Sequence, residues 1–269
     1  MTTADLSSLL SGVIDSARSV GAFIRAERQT FSYSKAEVKG LNDLVSYVDK
    51  SSEEQLVNLL SALLPEAGFI TEENTRNEKK SYNWIIDPLD GTTNFIHGIP
   101  CYAVSIALEH EGTVILGVVY EVAHDECFSA YRGGGAFLNG KPIAVSERKS
   151  LSESLIATGF PIYNFSRLDA YLKALTQLMK RTHGLRRIGS AATDLCYVAC
   201  GRMDAYFEYN LNAWDVAAGG LIVTEAGGHI CDFSKGSNWL FGREVIATNK
   251  YLQAEFGDLV SESFSGNQN

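Results

Sequence analysis

Two carboxylates three residues apart, directly after an apolar run, constrain this chain more than any other feature. The run Trp84-Ile85-Ile86 is typical of a buried strand, and Asp87-Pro88-Leu89-Asp90-Gly91-Thr92-Thr93-Asn94-Phe95 follows it. We expect a turn there, rich in Gly and hydroxyl side chains and anchored on the core. Buried neighbouring carboxylates repel each other and need a cation, and the N–H groups of such a turn can face an anion. The motif therefore predicts a site for divalent cations and phosphate.

Composition narrows the possible partners and compartment. The 269 residues carry a net charge of -9, which argues against nucleic acid as a main partner, because phosphate backbones are met by an excess of Lys and Arg. No apolar run reaches the roughly 18 residues of a membrane helix, and the start lacks the basic and apolar regions of a signal peptide. The five cysteines are widely spread, as expected for small core residues in a reducing compartment. These features predict a cytoplasmic protein without a membrane partner.

Apolar spacing predicts the main elements of the fold. Helices and strands alternate irregularly, which favours a layered α+β or mixed α/β architecture over a strict βαβ series. A Ser- and charge-rich shift at 146–154 predicts one domain over 1–269 with two sub-halves, roughly 1–148 and 149–269. The predicted helices are 4–27, the segment between Asp49 and Pro65, 167–181, 191–199 and 216–226, and the predicted strands are 44–48, 84–86, 104–108, 114–120, 127–131, 155–158, 205–208 and 245–248.

Further acids stand at the ends of predicted elements, where side chains can converge. Glu72 and Glu73 follow Phe69-Ile70, Asp215 opens the helix after strand 205–208, and Asp49 opens the helix that Pro65 stops. Each has a structural alternative. Asp49 and Asp215 are well placed as helix caps or first-turn acids, and Glu72 and Glu73 could form a solvated turn. The run Gly133-Gly134-Gly135 is predicted as a turn, because it lacks the Lys and the strand–loop–helix context of a phosphate loop.

Two segments resemble the signatures of the inositol monophosphatase family. The first signature is similar to the run 84–95, and the second is similar to Trp214-Asp215-Val216-Ala217-Ala218-Gly219. The runs 43–49 and 72–73 match the family in order, although Thr71 stands where the family commonly has Gly. The resemblance covers nearly the whole chain. It implies a layered αβαβα sandwich and Mg²⁺-dependent hydrolysis of a phosphate monoester.

The resemblance also implies roles for individual residues. Two to three Mg²⁺ ions would activate a water for in-line attack on phosphorus, without a phosphoenzyme. Glu72, Asp87 and the Leu89 carbonyl resemble the ligands of the first ion, and Asp87, Asp90 and Asp215 those of the second. Glu72 would hold a weaker third ion through waters. Asp49 and Thr92 resemble the pair that orients the attacking water. The expected catalytic residues are therefore Asp49, Glu72 and Thr92.

The substrate side is implied in the same way. Gly91 and Thr92 would hold the phosphate together with Asp90, and Lys39 would lie on a loop near the site. The polyol would meet Gly189, Ser190, Ala191, Glu208 and Asp215. The continuation Asn94-Phe95 differs from the Lys-Glu-Phe type of the nucleotide bisphosphatases, and therefore favours a polyol phosphate, with myo-inositol 1-phosphate as the first expectation.

Alternatives remain open at this point. The same fold could act on histidinol phosphate, fructose 1,6-bisphosphate or a 3′-phosphonucleotide, because residues outside the metal core decide the substrate. A non-catalytic regulatory or scaffold protein could also retain the fold, although all the expected metal ligands are present. The family further implies a homodimer and inhibition by Li⁺.

Overall fold

The computed structural model describes residues 1–40, 43–161 and 164–265. Short 3-10 helices lie at Tyr33–Lys35 and Leu151–Glu153. The α-helices are α1 (Thr3–Thr30), α2 (Tyr47–Leu63), α3 (Thr92–His97), α4 (Leu168–Arg181), α5 (Ala191–Ala199), α6 (Ala213–Glu225) and α7 (Gln253–Phe264). The strands are β1 (Ala36–Gly40), β2 (Asp43–Ser46), β3 (Gly68–Thr71), β4 (Tyr82–Asp90), β5 (Ala103–His110), β6 (Thr113–Glu121), β7 (Glu126–Tyr131), β8 (Ala136–Leu138), β9 (Lys141–Pro142), β10 (Leu155–Thr158), β11 (Gly184–Arg186), β12 (Ala205–Tyr209), β13 (His229–Cys231) and β14 (Glu244–Thr248).

The elements stack in five layers. Helices α1 and α2 pack on one face of a seven-stranded sheet, β3-β4-β5-β6-β7-β8-β9, and α5 and α6 pack on its other face. The five-stranded sheet β11-β10-β12-β14-β13 lies beyond α5 and α6, and α4 and α7 cover its outer side. The predicted αβαβα sandwich is therefore confirmed. The first sheet ends at Pro142 and the second begins at Leu155, so the composition shift at 146–154 lies in the connection between them.

The two faces of the seven-stranded sheet belong to two different apolar clusters. Trp84 and Ile86 pack with α1 and α2, whereas Ile85 packs with α5 and α6. Successive side chains of a strand point to opposite faces, so a strand covered on both sides needs an unbroken apolar run. Fully burying a large aliphatic or aromatic side chain contributes about 1.5–3 kcal/mol. The run before the Asp87 motif therefore anchors that motif in the middle of the molecule.

Three predicted boundaries are wrong in an informative way. Strand β4 continues through the Asp-Pro-Leu-Asp motif, which forms the bulged end of a strand, and the turn follows at Gly91. Pro88 lacks an N–H for the sheet ladder and is tolerated at such a bulge. Helices α2 and α6 begin before Asp49 and Asp215, so both acids lie inside a first turn.

The cysteines and the glycine run lie as the sequence predicts. All five cysteines are free thiols, and four of them are buried. The glycine run forms a turn in which the N–H groups of Gly133 and Gly135 donate to the carboxylate of Glu225. None of the helices described is long and apolar enough to cross a membrane.

Candidate active site

The residues that the sequence predicts as a site meet in one pocket between the two halves. The pocket has a volume of about 160 Å³ and lies where β4, β12 and the starts of α3, α5 and α6 come together. Asp49 lies behind its wall, next to Thr92. Lys39 belongs to β1, and its side chain is outside the described part of the structure. The predicted residues that line the pocket are Glu72, Asp87, Leu89, Asp90, Gly91, Thr92, Gly189, Ser190, Ala191, Glu208 and Asp215.

The bulge in β4 brings the two carboxylates of the motif to one side of the sheet. Asp87 pairs with Ser105 of β5 and Asp90 pairs with Ala103, so β4 advances three residues while β5 advances two. Residues three apart on a regular strand point to opposite faces. The extra residue cancels this offset, because Asp90 takes the place that a residue two positions on would have. The Asp87 carboxylate is buried and accepts the N–H of Leu89 at 3.0 Å.

The carboxylates of this pocket raise one another's pKa. Burial raises the pKa of Asp87 well above its usual value, and the charges of Glu72, Asp90 and Asp215 add to the shift. Burial and the Asp90 charge raise the pKa of Asp215 to about 8. Burial also raises the pKa of Asp90, although the Ser190 hydroxyl and the Ala192 N–H oppose it. A cation among these groups would remove the penalty, since it stabilises their ionised forms.

The donor set fits a hard divalent cation in its chemistry. Carboxylate and carbonyl oxygens are the ligands that Mg²⁺ prefers, and the pocket offers both kinds. Besides burial, the nearby Glu72 carboxylate raises the pKa of Asp87, as expected for two acids that repel each other in the absence of a cation. Among the described His, Cys, Asp and Glu side chains, no group of three is already arranged as a cation cage. The pocket therefore has suitable donors, and their side chains would close around the ion.

A buried acid of α2 holds the segment that carries Glu72. The carboxylate of Glu53 accepts the N–H groups of Glu73 and Thr75, both at 2.7 Å. The Glu72 N–H donates to the Ile86 carbonyl at 3.3 Å, which continues the parallel pairing of β3 with β4. Sequence reasoning missed Glu53, and its signal was a carboxylate four residues after Asp49 on the apolar face of a helix.

Thr71 fits the position where the family commonly has Gly. Its side chain is fully buried, and its hydroxyl donates to the carbonyl of Arg76 at 3.2 Å. The hydroxyl is thus satisfied within the segment that Glu53 already holds. The substitution leaves Glu72 in the pocket.

Asp49 serves both the start of α2 and the pocket. One of its oxygens, Oδ2, accepts the N–H of Ser46 at 2.8 Å and the Ser46 hydroxyl at 2.7 Å, as in a helix capping box. The other, Oδ1, lies 2.8 Å from the Thr92 hydroxyl, which is also 2.9 Å from the Leu89 carbonyl. Burial raises the pKa of Asp49 to about 6, against the lowering effect of these hydrogen bonds. Oδ2 therefore caps the helix, while Oδ1 faces Thr92 and the pocket, so the structural and the functional interpretation of Asp49 can both hold.

Gly91 makes the sharp turn from β4 into α3. Its φ is +91°, in the left-handed region, and a Cβ there would lie 3.0 Å from the Cys101 carbonyl oxygen. The side-chain amide of Asn94 donates to the carbonyls of Cys101 (2.8 Å) and Ile188 (2.9 Å), and the Phe95 ring is fully buried. Asn94 thus ties the turn to the second half, whereas Phe95 packs it against Phe31 and Tyr102 of the first half, and neither lines the pocket.

The start of α5 ties the second half to Asp90. Oδ2 of Asp90 accepts the Ser190 hydroxyl and the Ala192 N–H, both at 2.7 Å. Ser190 also caps α5 by accepting the N–H of Thr193 at 3.2 Å. A carboxylate is favoured here, because helix N-termini carry partial positive charge and unpaired N–H groups. Asp90 is therefore shared by both halves.

The opposite end of the pocket is built on β12. The Tyr206 hydroxyl donates to Glu208 at 2.5 Å, and a Cβ at Gly159 would lie only 1.9 Å from the Glu208 carboxyl carbon. Burial raises the pKa of Glu208 to about 7, although the Tyr206 hydroxyl and Arg187 oppose the shift. Sequence reasoning missed Arg187, Phe160 and Asp194 in this part of the pocket.

Comparisons with known proteins agree with this geometry. The chain is 42% identical over 94% of its length to the putative Nus factor SuhB of Neisseria meningitidis, of which it covers 97%. It is 41% identical over 92% of its length to an inositol-1-monophosphatase of Mesorhizobium japonicum, of which it covers 94%. It also superposes on the crystal structure of extragenic suppressor protein suhB from Bartonella henselae with a TM-score of 0.90, at 38% identity, covering 95% of this chain and 99% of that one. The sequence model of the inositol monophosphatase family matches residues 5–264. The chain therefore belongs to the inositol monophosphatase family.

Proposed function

We propose that this protein hydrolyses myo-inositol 1-phosphate to inositol and phosphate with the help of bound Mg²⁺. Membership of the family supports the coarser statement, a phosphatase of phosphate esters. The observation that carries the proposal is the meeting of Glu72, Asp87, Asp90 and Asp215 in one pocket with the Gly91 turn. Four acids in a small volume need cations, and the substrate's phosphate completes the shell of such ions.

The proposed ligand sets follow the family resemblance, and all of their donors line the same pocket. Glu72, Asp87 and the Leu89 carbonyl would hold one Mg²⁺, and Asp87, Asp90 and Asp215 would hold a second, with Asp87 shared. Glu72 would hold a weaker third ion through waters. Bound Mg²⁺ supplies Lewis acidity that lowers the pKa of water and neutralises charge in the transition state.

The chain's own residues then handle the proton and the substrate. The Thr92 hydroxyl would accept a proton from the attacking water and pass its own to Asp49, 2.8 Å away. The N–H groups of Gly91 and Thr92 would hold the phosphate. The water oxygen would attack phosphorus in line as the ester P–O bond breaks, and the leaving oxygen would take a proton from solvent water, so that the alcohol departs without a phosphoenzyme.

The polyol would occupy the Glu208 end of the pocket. Glu208 would accept hydroxyl hydrogen bonds, and Gly189, Ser190, Ala191 and Asp215 would form the surrounding wall. Lys39 would complete the site from the β1 side. The relatives named as Nus factor and as inositol-1-monophosphatase are about equally similar to this chain, at 42% and 41% identity, so the substrate proposal rests on the pocket.

We extend the proposal to assembly, inhibition and location. The family resemblance implies a homodimer and inhibition by Li⁺, and the composition and net charge of -9 favour a cytoplasmic protein that does not use nucleic acid as a main partner. Sedimentation would test the dimer. A titration of activity with LiCl would test the inhibition, and an insensitive enzyme would contradict it.

A panel of phosphate esters tests the proposed function. Phosphate release is measured at saturating Mg²⁺ with myo-inositol 1-phosphate, histidinol phosphate, fructose 1,6-bisphosphate and a 3′-phosphonucleotide. We expect the highest kcat/KM on myo-inositol 1-phosphate and no release after EDTA treatment. A higher kcat/KM on another ester would reject the substrate. Failure on every ester would reject the phosphatase and favour a non-catalytic role.

A further inference from the structure

One buried acid of the pocket has no part in the chemistry proposed above. Asp194 lies in the first turn of α5 and lines the pocket, although only 1% of its surface is exposed. Its Oδ1 has no hydrogen-bond partner among the described residues. Buried carboxyl oxygens are normally paired, because an unpaired one forfeits its hydration without compensation. This oxygen therefore indicates a partner that binds in the pocket.

The charges around Asp194 identify the kind of partner. Burial raises the pKa of Asp194 well above its usual value, and the nearby Glu208 and Asp90 carboxylates raise it further, while Arg187 opposes the shift. A carboxyl in this setting favours its neutral form, which both donates and accepts a hydrogen bond. Hydroxyl groups match that pattern, since each is also a donor and an acceptor.

Glu208 gives the same end of the pocket a second, fixed carboxyl group. Tyr206 holds one of its oxygens, and the backbone at Gly159 lies so close that it leaves no room for a side chain. Asp194 and Glu208 come from different elements, α5 and β12, and both line this pocket. Two carboxyl groups in this position can form hydrogen bonds with two hydroxyl groups on the ring of one leaving alcohol.

We propose that Asp194 is a specificity-determining residue, which exchanges hydrogen bonds with a hydroxyl group of the leaving alcohol beside the one bound by Glu208. The substrate class is then an uncharged, hydroxyl-rich alcohol esterified to one phosphate. The inference rests on the proposed phosphatase function and adds the residue that selects among its substrates.

Kinetics with two substrates separate this role from a structural one. The substrates are myo-inositol 1-phosphate and phenyl phosphate, which lacks hydroxyl groups on its leaving alcohol. The variants are Asp194→Leu, which removes the hydrogen bonds at similar size, and Asp194→Asn, which keeps a donor and an acceptor. Asp194→Ala is measured in the same way and replaces Asp194→Leu if the larger apolar side chain prevents folding.

The expected results differ between the substrates. Asp194→Leu should raise KM for myo-inositol 1-phosphate by roughly 10-fold or more, with kcat within about 3-fold, because it removes contacts made in the ground state and transition state alike. Its KM for phenyl phosphate should stay within about 2-fold, and Asp194→Asn should stay within about 3-fold of the wild type on both substrates.

Three outcomes would overturn the inference. Equal rises in KM on both substrates for Asp194→Leu would show a structural role. An unchanged KM for myo-inositol 1-phosphate would show that Asp194 bonds to no hydroxyl group of the substrate. If the wild-type protein releases phosphate from neither ester, the proposed function itself fails and the inference fails with it. The wild-type control therefore distinguishes failure of the proposed function from failure of the role of Asp194.

Discussion

At the scale of single residues, Thr92 holds one hydroxyl proton between two acceptors. The Asp49 carboxylate is 2.8 Å from this hydroxyl and the Leu89 carbonyl is 2.9 Å from it. With a cation held by the Leu89 carbonyl, the Thr92 hydroxyl would donate to Asp49 alone, and its oxygen would be free to accept a proton from water. The residue thus connects the buried acid to the pocket.

Thr92→Val should lower kcat about 100-fold at saturating Mg²⁺ with little change in KM, because general-base steps contribute about 100-fold or more to rate. Steady-state phosphate release measures the effect. Thr92→Ser keeps the hydroxyl and serves as the matched control, with most of the wild-type kcat retained. A Val variant with more than half of the wild-type kcat would remove Thr92 from the proton path.

Single residues also mark the limit of prediction from this sequence. Asp87 and Asp90 were found because they stand in one short motif after an apolar run. Glu53 and Asp194 were not. The only signal of Glu53 is an acid on the apolar face of a helix, its partners lie about 20 residues away in the chain, and no local pattern marks Asp194. Asn94 was given a meaning for substrate choice, yet its amide ties the α3 turn to the second half.

At the scale of elements, the site is made from the ends of secondary structures. The bulged end of β4 supplies Asp87 and Asp90, and the first turns of α2 and α6 supply Asp49 and Asp215. Both helical acids accept the N–H of the residue three positions earlier, Ser46 at 2.8 Å and Asn212 at 2.6 Å. The bond that starts each helix therefore also fixes one oxygen of an acid in the site.

Most of the long elements were predicted, although the 12-residue helix α7 was missed, and several of the shortest strands were missed as well. Helices such as α1 and strands such as β6 repeat an apolar pattern over several periods. Strands β9 and β11 span only two or three residues, which is too short for a period. Pairing with the neighbouring strand β8 defines β9, and pairing with β10, which lies far away in the chain, defines β11. The bulge in β4 was missed for a related reason, since its register depends on β5.

Glu53→Gln tests how α2 supports the metal-binding segment. An amide in this place can accept only one of the two N–H groups that Glu53 now accepts, so the segment with Glu72 should loosen. We expect the Mg²⁺ concentration for half-maximal activity to rise about 10-fold, as for groups that support metal ligands, with kcat largely recovered at high Mg²⁺. Glu54→Gln alters the exposed neighbouring acid and is the matched control. An unchanged Mg²⁺ dependence in Glu53→Gln would contradict this support.

At the scale of the whole molecule, the charged pocket couples stability to pH and to metal. The folded-state pKa of Asp215 is about 8, above the ordinary 3.8, and Asp87 and Asp90 are also raised. The folded state then binds more protons than the unfolded state, so its stability is fully present at low pH and is lost as pH rises toward 8. The groups with lowered pKa, such as Asp125 and Glu126, lose their stabilising charge only below about pH 4, by the reference values for such acids.

The melting temperature of the metal-free protein should therefore fall as pH rises from about 5 to 8. Saturating Mg²⁺ should raise it most at pH 8, because the ion binds the ionised carboxylates. Calorimetric melts with EDTA and with Mg²⁺ measure both effects, and Asp215→Asn should flatten the pH dependence of the metal-free protein. A melting temperature that rises with pH in EDTA would refute this view of the pocket.

The proposed site takes its residues from both halves of the chain, and Asp90 of β4 is hydrogen-bonded to the start of α5. Asp90→Asn retains an acceptor for Ser190 and Ala192 but removes the charge that would hold a cation. The most direct measurement is Mg²⁺-dependent release of phosphate from myo-inositol 1-phosphate by the wild type and this variant, with melting curves of both. We predict a kcat at least about 100-fold lower in the folded variant, as expected for loss of a metal ligand. Undiminished turnover by Asp90→Asn would contradict the central claim that these carboxylates form a metal-dependent hydrolytic site.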